Sequence, residues 1–175
     1  IQVINNLEDK FFHQLVSWFH DKNQKAIVAL SGGVDSAVVA MAAKKALDKN
    51  AIAVTADYNT LSADELKSAK IIAKEINIEH KIIKYNELDN IEFVKNDSLR
   101  CYYCRTELST YLIKEARQMN VHLIVDGTNT DDLTDYRPGI KALRENGILS
   151  PLVELGINKQ NVRNIAKSNN LSVYD

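Results

Sequence analysis

Short apolar runs alternate with amphipathic stretches along this chain. Four of the runs are typical of buried strands, and they cover residues 26–30, 51–56, 80–85 and 121–125. In the stretches between them, hydrophobic residues recur every three or four positions, which is the period of a helix. Strands that alternate with helices predict an α/β fold, a doubly wound parallel sheet with helices on both faces.

Several of the predicted helices begin with residues that suit a helix end. Ser62 and Glu65 have the S-x-x-E spacing of a capping box, and Asn158 is a candidate N-cap. Helices are predicted over residues 7–19, 35–47, 62–76, 107–119, 140–145 and 158–167. Elsewhere the pattern predicts a loop with a short helix at 87–98, a turn at 137–139, an extended segment at 150–152 and the start of a strand at 171–175.

The chain turns on two glycines between the first predicted strand and the next helix. This turn reads Ser31-Gly32-Gly33-Val34-Asp35-Ser36. Glycine has no Cβ, so backbone N–H groups can converge there on a ligand, and a helix N-terminus adds unpaired donors and partial positive charge. The serine hydroxyls add donors, so the turn predicts an anion cradle suited to phosphates. It has neither the lysine of a Walker A loop nor a G-x-G-x-x-G fingerprint.

Polar loops are expected to meet at one edge of the predicted sheet. In a doubly wound sheet, ligands bind beyond the carboxyl ends of the strands, where the strand order reverses. The loops predicted there are residues 31–35, the segment after Ala56, and residues 126–132. His80 and His122 fall at strand starts, away from this edge. The sheet argument therefore agrees with the glycine turn on the position of a ligand site.

Several carboxylates fit this site in more than one way. Asp35, beside the predicted phosphates, is either a helix-capping residue or a residue linked to Mg²⁺. Arg137 is the best nearby candidate for binding a carboxylate or a phosphate. An acidic cluster after the fourth strand is either a solvated turn or a contact for ligand and Mg²⁺. The cluster consists of Asp126, Asp131, Asp132 and Asp135.

Cys101 and Cys104 form a Cys-x-x-Cys pair near the start of a predicted helix. The pair fits half of a metal site, a redox pair, a sulfur carrier, or structural thiols. A closed zinc site needs four ligands, and no histidine has ligand spacing to the pair. A cysteine-ligated iron–sulfur cluster would need further cysteines, which this chain lacks.

Length and charge limit the class of protein. The 175 residues predict one domain with room for a core. A net charge of −1 gives no overall attraction to nucleic acid, and every apolar run is shorter than the roughly 20 residues of a membrane span. The first residues lack a secretory signal pattern, and the cysteine spacing fits a reducing compartment, so a cytoplasmic location is expected.

The glycine turn resembles the pyrophosphate loop of the PP-loop ATP pyrophosphatases (adenine nucleotide alpha-hydrolases). From about Leu7 onward the chain is similar to the LarE family, the ATP-dependent sulfur transferases of nickel-pincer cofactor synthesis. The motifs that narrow the resemblance are Arg100-Cys101-Tyr102-Tyr103-Cys104-Arg105-Thr106, Asp126-Gly127-Thr128-Asn129-Thr130-Asp131-Asp132, Asp135-Tyr136-Arg137-Pro138-Gly139, Ser150-Pro151-Leu152 and Lys159-x-x-x-Arg163.

This resemblance implies a reaction in two stages. ATP adenylates a carboxylate of a carboxylated pyridinium mononucleotide and releases pyrophosphate, and sulfur is then installed to give a thiocarboxylate. Some members give up the sulfur of a protein cysteine, and others are thought to use an iron–sulfur cluster. Neither Cys101 nor Cys104 matches the sulfur-bearing cysteine, which is expected downstream of Asp175. Residues 1–175 are then a PP-loop domain, the N-terminal part of a longer protein that is expected to form a homo-oligomer.

The resemblance also implies which residues hold the nucleotide. Asp35 and Ser36 are the expected catalytic residues, and Asp35 is a candidate for a link to Mg²⁺. Because the second strand should end at the site, the adenine is expected near Ala56. The residues expected to bind pyrophosphate are Ser31, Gly32, Gly33, Asp35 and Ser36, with further contributions from Gly127, Thr128 and Asp132.

Two other classes of protein fit the same motifs. One is a different PP-loop ligase, such as a tRNA-thiolating or amidating enzyme, although a tRNA enzyme should show a basic face that the net charge of −1 does not favour. The other is a non-catalytic module that binds ATP and uses Cys101 and Cys104 for a thiol or metal function. Release of pyrophosphate with a given acceptor would separate these alternatives.

Overall fold

A computed structural model describes residues 2–58, 62–85, 100–134 and 138–175, and of residues 2–9, 100 and 101 it describes the backbone alone. Helices and strands alternate along most of the chain. The helices are α1 Gln2–Lys22, α2 Val34–Leu47, α3 Ala63–Glu75, α4 Arg100–Gln118, α5 Pro138–Glu145, α6 Pro151–Glu154 and α7 Lys159–Ser168. The strands are β1 Ala26–Ala29, β2 Ala51–Tyr58, β3 Glu79–Tyr85 and β4 Leu123–Val125.

The four strands form one parallel sheet in the order β3-β2-β1-β4. The chain runs outward from β1 to β3 and then crosses back to place β4 on the other side of β1. The strand order therefore reverses between β1 and β4, and ligands of such sheets bind beyond the carboxyl ends of the strands at that point. This topology confirms the predicted α/β class.

Alternate residues of each strand point to opposite faces of the sheet, and each face has its own core. Val28 packs in the core that α1, α2, α3 and α7 share with the sheet, whereas Ile27 packs in the core that α4 and α5 cover. Both side chains are fully buried. Helices therefore cover both faces, as the alternation of apolar and amphipathic stretches predicted.

Two predicted helix caps are confirmed. Ser62 Oγ accepts a hydrogen bond from Glu65 N, and Glu65 Oε2 accepts one from Ser62 N, each at 3.1 Å. Asn158 caps α7 in the same reciprocal way, with Asn161 as its partner. Such caps satisfy N–H groups that the first turn of a helix leaves without a partner.

Other sequence expectations were wrong in detail. Residues 150–152 are not extended, because Ser150 is the N-cap of α6 and Pro151 takes the first helical position, where a missing N–H costs nothing. Residues 138 and 139, expected in a turn, begin α5. The last five residues form no strand; there the backbone N and the hydroxyl of Ser172 donate to the Glu75 carboxylate at 2.9 and 2.7 Å. The prediction for residues 87–98 lies outside the described part of the chain.

Helix α4 begins at Arg100 rather than at residue 107. The additional turns carry polar residues that break the apolar period, but they are tied to a neighbouring helix. Tyr102 Oη donates to Glu145 Oε2 of α5 at 2.6 Å, and the accepting carboxylate raises the pKa of Tyr102. Contact with α5 thus extends α4 at its N-terminal end, beyond the residue at which the sequence pattern alone begins the helix. None of the described helices is long and apolar enough to cross a membrane.

Candidate functional site

The loop between β1 and α2 is closed by its own serine hydroxyls. Ser36 Oγ donates to the Gly33 carbonyl at 3.1 Å and accepts from Ser31 N at 3.1 Å. The hydroxyl oxygens of Ser31 and Ser36 are also 3.1 Å apart, so Ser31 is the donor of that pair. These bonds hold both hydroxyls at the end of β1, where the sheet places a ligand site.

Two glycines are required by close approach of other elements. Gly32 has a φ of +89°, and a Cβ there would lie 2.5 Å from the Glu65 carbonyl oxygen of α3. Ser68 Oγ donates to the Gly32 carbonyl at 2.8 Å, so α3 packs directly against the loop. A Cβ on Gly127 would lie 2.6 Å from Ser36 N, so the segment after β4 presses on the first turn of α2.

The first turn of α2 opens on the same space. Gly33 is its N-cap, and the first intrahelical bond runs from Ala37 N to Gly33 O at 3.1 Å. The N–H groups of the three residues before Ala37 therefore have no acceptor within the helix, and the helix dipole makes this end partly positive. Such a helix end stabilises a bound anion.

Asp35 does not take the capping role that the sequence left open, and its link to Mg²⁺ stays a prediction. Its carboxylate makes no cap, since the cap of α2 has no side-chain hydrogen bond. Instead Oδ2 lies 2.5 Å from Lys159 Nζ of α7, and Oδ1 accepts from Asn129 Nδ2 at 3.2 Å. Both side chains of the ion pair are about a third exposed or less, at 34% for Lys159 and 22% for Asp35. The lysine thus neutralises a carboxylate that would otherwise repel a phosphate.

Lys159 is the site residue that sequence reasoning missed. In the sequence Lys159 was noted only as the first residue of the Lys159-x-x-x-Arg163 motif. It lies 124 positions from Asp35 along the chain. The predicted cap at Asn158 did place Lys159 at the start of a helix, but helix periodicity carries no information about which distant loop that helix contacts. Lys159 N also donates to Asp131 Oδ2 at 3.0 Å, so the start of α7 is held against the loop after β4.

The acidic cluster orders the loop that follows β4. Asp126 is buried rather than solvated, and its carboxylate accepts from Thr128 N at 3.2 Å, Thr128 Oγ1 at 2.6 Å and Ser150 Oγ at 2.7 Å. Asp132 Oδ2 accepts from Asn129 N at 3.1 Å. The carboxylates therefore cap their own loop, as expected for a turn of this composition, but Asp126 is buried rather than solvated. Asp135 and Arg137 lie outside the described residues.

The described residues do not fit a preformed metal site. Within residues 10–58, 62–85, 102–134 and 138–175, no three histidine, cysteine, aspartate or glutamate side chains are grouped to hold a metal ion. Both oxygens of Asp35 already have protein partners, so no open carboxylate is preformed there for Mg²⁺. Cys104 is half-buried in the second turn of α4 and belongs to no such group, and the side chain of Cys101 is not described.

His80 is closer to the site than its position in the sequence indicated. Thr55 Oγ1 donates to the Leu30 carbonyl at 2.8 Å and lies 2.7 Å from His80 Nε2. Because a hydroxyl has one proton, the histidine Nε2–H is the donor in the second bond. Burial, and then the nearby charge of Lys70, lowers the pKa of His80. Neutral His80 therefore donates to Thr55, and the Thr55 hydroxyl in turn binds the carbonyl of Leu30, the residue before Ser31.

These elements surround one cavity of about 550 Å³ at the carboxyl edge of the sheet. The volume suits a small-molecule ligand. Gly32 and Gly33 lie in the loop that borders it without lining it. Seven of the nine predicted nucleotide-binding residues line it, namely Ser31, Asp35, Ser36, Ala56, Gly127, Thr128 and Asp132.

Comparison with known proteins finds one family model and several relatives that match this sequence. The sequence model of the queuosine biosynthesis protein QueC matches residues 25–100. An uncharacterized protein of Synechocystis is 41% identical over 157 residues, which are 90% of this chain and 59% of that protein. The pyridinium-3,5-bisthiocarboxylic acid mononucleotide synthase of Lactiplantibacillus plantarum is 32% identical over 155 residues, which are 87% of this chain and 55% of the synthase. The chain thus spans little more than half of either relative.

A solved structure has the same fold. The NH3-dependent NAD synthetase of Campylobacter jejuni superposes with a TM-score of 0.74 at 22% identity, over 94% of this chain and 74% of the synthetase. This likeness shows the fold, whereas the glycine loop and the sequence matches make the chain similar to the PP-loop ATP pyrophosphatases, a superfamily of enzymes. Within the superfamily, the chain is a LarE-like homologue of the Lactiplantibacillus plantarum synthase. The resemblance that the sequence motifs indicated is confirmed.

Proposed function

We propose that this protein uses ATP to adenylate a carboxylate of a pyridinium mononucleotide, as the first stage of sulfur transfer to a thiocarboxylate. One observation carries the proposal: the hydroxyls of Ser31 and Ser36 and the first turn of α2 converge on the cavity at the strand ends. The similarity to the pyridinium-3,5-bisthiocarboxylic acid mononucleotide synthase of Lactiplantibacillus plantarum supports this choice of acceptor.

The chemistry of adenylation suits these groups. A carboxylate oxygen of the acceptor attacks the α-phosphorus of ATP, the bond from that phosphorus to the bridging oxygen breaks, and pyrophosphate leaves with the electron pair. Negative charge grows on the departing phosphates, where N–H donors and hydroxyls stabilise it. Lys159 supports this step because it cancels the charge of Asp35 beside the phosphates.

In this proposal the nucleotide lies across the strand ends. The triphosphate binds at the loop with Ser31, Gly32, Gly33, Asp35 and Ser36, and the adenine lies by Ala56 at the end of β2. Gly127, Thr128 and Asp132 complete the site on the side of β4. The support for this placement is that seven of these residues line the same cavity.

The second stage replaces AMP by sulfur. Sulfide attacks the acyl carbon of the adenylate and AMP leaves, which gives the thiocarboxylate directly. Alternatively a cysteine thiolate displaces AMP to give a thioester; loss of the cysteine Cα proton then breaks the bond between Cβ and sulfur, so that the thiocarboxylate leaves and the cysteine becomes dehydroalanine. We assign no residue of this chain as the sulfur donor, since Cys101 and Cys104 do not match the family's donor position. The full reaction, a homo-oligomeric assembly and a cytoplasmic location, where ATP and thiols are available, belong to the whole protein and remain parts of the proposal.

A test of the proposal follows pyrophosphate release from ATP with different acceptors. The intact protein should release pyrophosphate with a dicarboxylated pyridinium mononucleotide and not with tRNA. Asp35→Ala should lower this rate, whereas Asp21→Ala, an exposed acid that does not line the cavity, should leave it unchanged. Full turnover by Asp35→Ala, or equal release with tRNA, would contradict the proposal.

A second candidate is another ligase of the superfamily, and the QueC match favours it. That match is confined to residues 25–100, which run from β1 to the first residue of α4 and include the glycine loop. The match to the Lactiplantibacillus plantarum synthase covers 87% of the chain and so continues into the elements beyond residue 100. The acceptor is therefore better indicated by the synthase. The second candidate would act on a deazaguanine, as the name of the 7-cyano-7-deazaguanine synthase of Clostridium botulinum suggests, which is 48% identical over 68 residues; pyrophosphate release with a carboxylated deazaguanine would favour it.

A further inference from the structure

The side of the cavity opposite the glycine loop is formed by α4 and α5. Leu108 of α4 lines the cavity together with Ile140 and Leu143 of α5 and Tyr58 at the end of β2. Leu108 and Leu143 are buried, so this wall is a firm apolar surface. A flat ring packed on such a wall gains binding energy from buried apolar area.

Arg105 is the one cation among the described residues that line this cavity. It lies three positions before Leu108, so the two side chains share a face of α4. The structure gives the Arg105 guanidinium no ion pair with any described residue, although Asp35, Asp126 and Asp132 line the same cavity. Asp35 is paired with Lys159, and the other two carboxylates accept hydrogen bonds from their own loop.

We infer that Arg105 determines the specificity for the acceptor by binding an anionic group of a flat aromatic substrate whose ring lies on the apolar wall. This inference rests on the proposed function and adds how the acceptor is chosen. The anionic group is a carboxylate or a phosphate, since a guanidinium binds both through two parallel hydrogen bonds. A neutral acceptor of the same shape leaves Arg105 without a partner and is rejected.

The test compares KM values for the acceptor and for ATP in the pyrophosphate-release assay with intact protein. Arg105→Met should raise the KM for a dicarboxylated pyridinium mononucleotide by about tenfold, the value of one charged hydrogen-bonded pair at an exposed position. The KM for ATP should not change, which also shows that the variant is folded. Arg105→Lys should recover part of the loss, and Arg117→Met, an exposed arginine of the same helix that does not line the cavity, should behave as wild type.

Two further acceptors identify the group that Arg105 binds. One has a carboxylate replaced by an amide, and the other lacks the phosphate. Removal of the group that binds Arg105 should raise the KM of the wild type for the acceptor. The same removal should cause no further rise in Arg105→Met. If the variant keeps the wild-type KM for the acceptor, or loses ATP and acceptor binding in parallel, the inference is wrong while the proposed function stands. If the wild type releases no pyrophosphate with any of these acceptors, both are wrong.

Discussion

The ion pair between Lys159 and Asp35 gives the sharpest prediction. In Lys159→Met the carboxylate of Asp35 keeps Asn129 as a partner but loses its counter-charge beside the glycine loop. The pair is partly exposed, so the loss in unfolding free energy should be about 1.5 kcal/mol, at the lower end for hydrogen bonds to charged groups. The unpaired carboxylate also repels a triphosphate, so the KM for ATP should rise by at least about tenfold.

A double-mutant cycle measures this prediction. The four proteins are the wild type, Lys159→Met, Asp35→Asn and the double variant, each followed by urea unfolding and by pyrophosphate release at varied ATP. Removing the carboxylate charge in the double variant should restore part of the ATP affinity that Lys159→Met loses. Lys114→Met, an exposed lysine of α4, is the control. Strictly additive effects on the KM for ATP, or an unchanged KM in Lys159→Met, would refute the role given to the ion pair.

Two further predictions concern the residues that shape the loop. Gly32→Ala should lower the unfolding free energy by about 1–3 kcal/mol in urea, because its φ is +89° and its Cβ would meet the Glu65 carbonyl; an unchanged midpoint would contradict this. Since burial lowers the pKa of His80, the unfolded chain binds its proton first, and stability should fall as the pH drops below about 6.5 toward the lowered folded pKa. His80→Gln keeps a donor near Thr55 and should reduce the change of unfolding free energy with pH between about pH 7 and pH 5. If that change is the same in the variant, other groups cause the pH dependence.

Local signals were enough to predict the architecture. The short apolar runs of the strands and the period of about 3.6 in the helices, together with the caps at Ser62 and Asn158, follow from short-range geometry that the sequence carries directly. The parallel sheet follows in turn from the alternation of elements. The same reasoning placed the glycine loop at a strand end, because a ligand site in this class of sheet depends on topology alone.

Contacts between distant elements were beyond such reasoning. Lys159 reaches Asp35, and Tyr102 reaches Glu145, only after the two helices of each pair have packed side by side on one face of the sheet. The buried state of Asp126 was missed for the same reason, since its partner Ser150 lies 24 positions away. The assignment of ATP to the cavity remains a prediction that rests on the motif and on the shape of the site.

The span of the Lys159–Asp35 pair has a consequence for how the chain matures. The contacts of the Ser31 and Ser36 hydroxyls join residues at most five positions apart, whereas the ion pair closes a segment of 124. Closing so long a segment costs more chain entropy, so the loop can adopt its shape before its charge is balanced. During synthesis, a chain that has not reached α7 has the cradle but an uncompensated carboxylate in it. Competence to bind nucleotide should therefore appear late, as a signal that α2 and α7 have met.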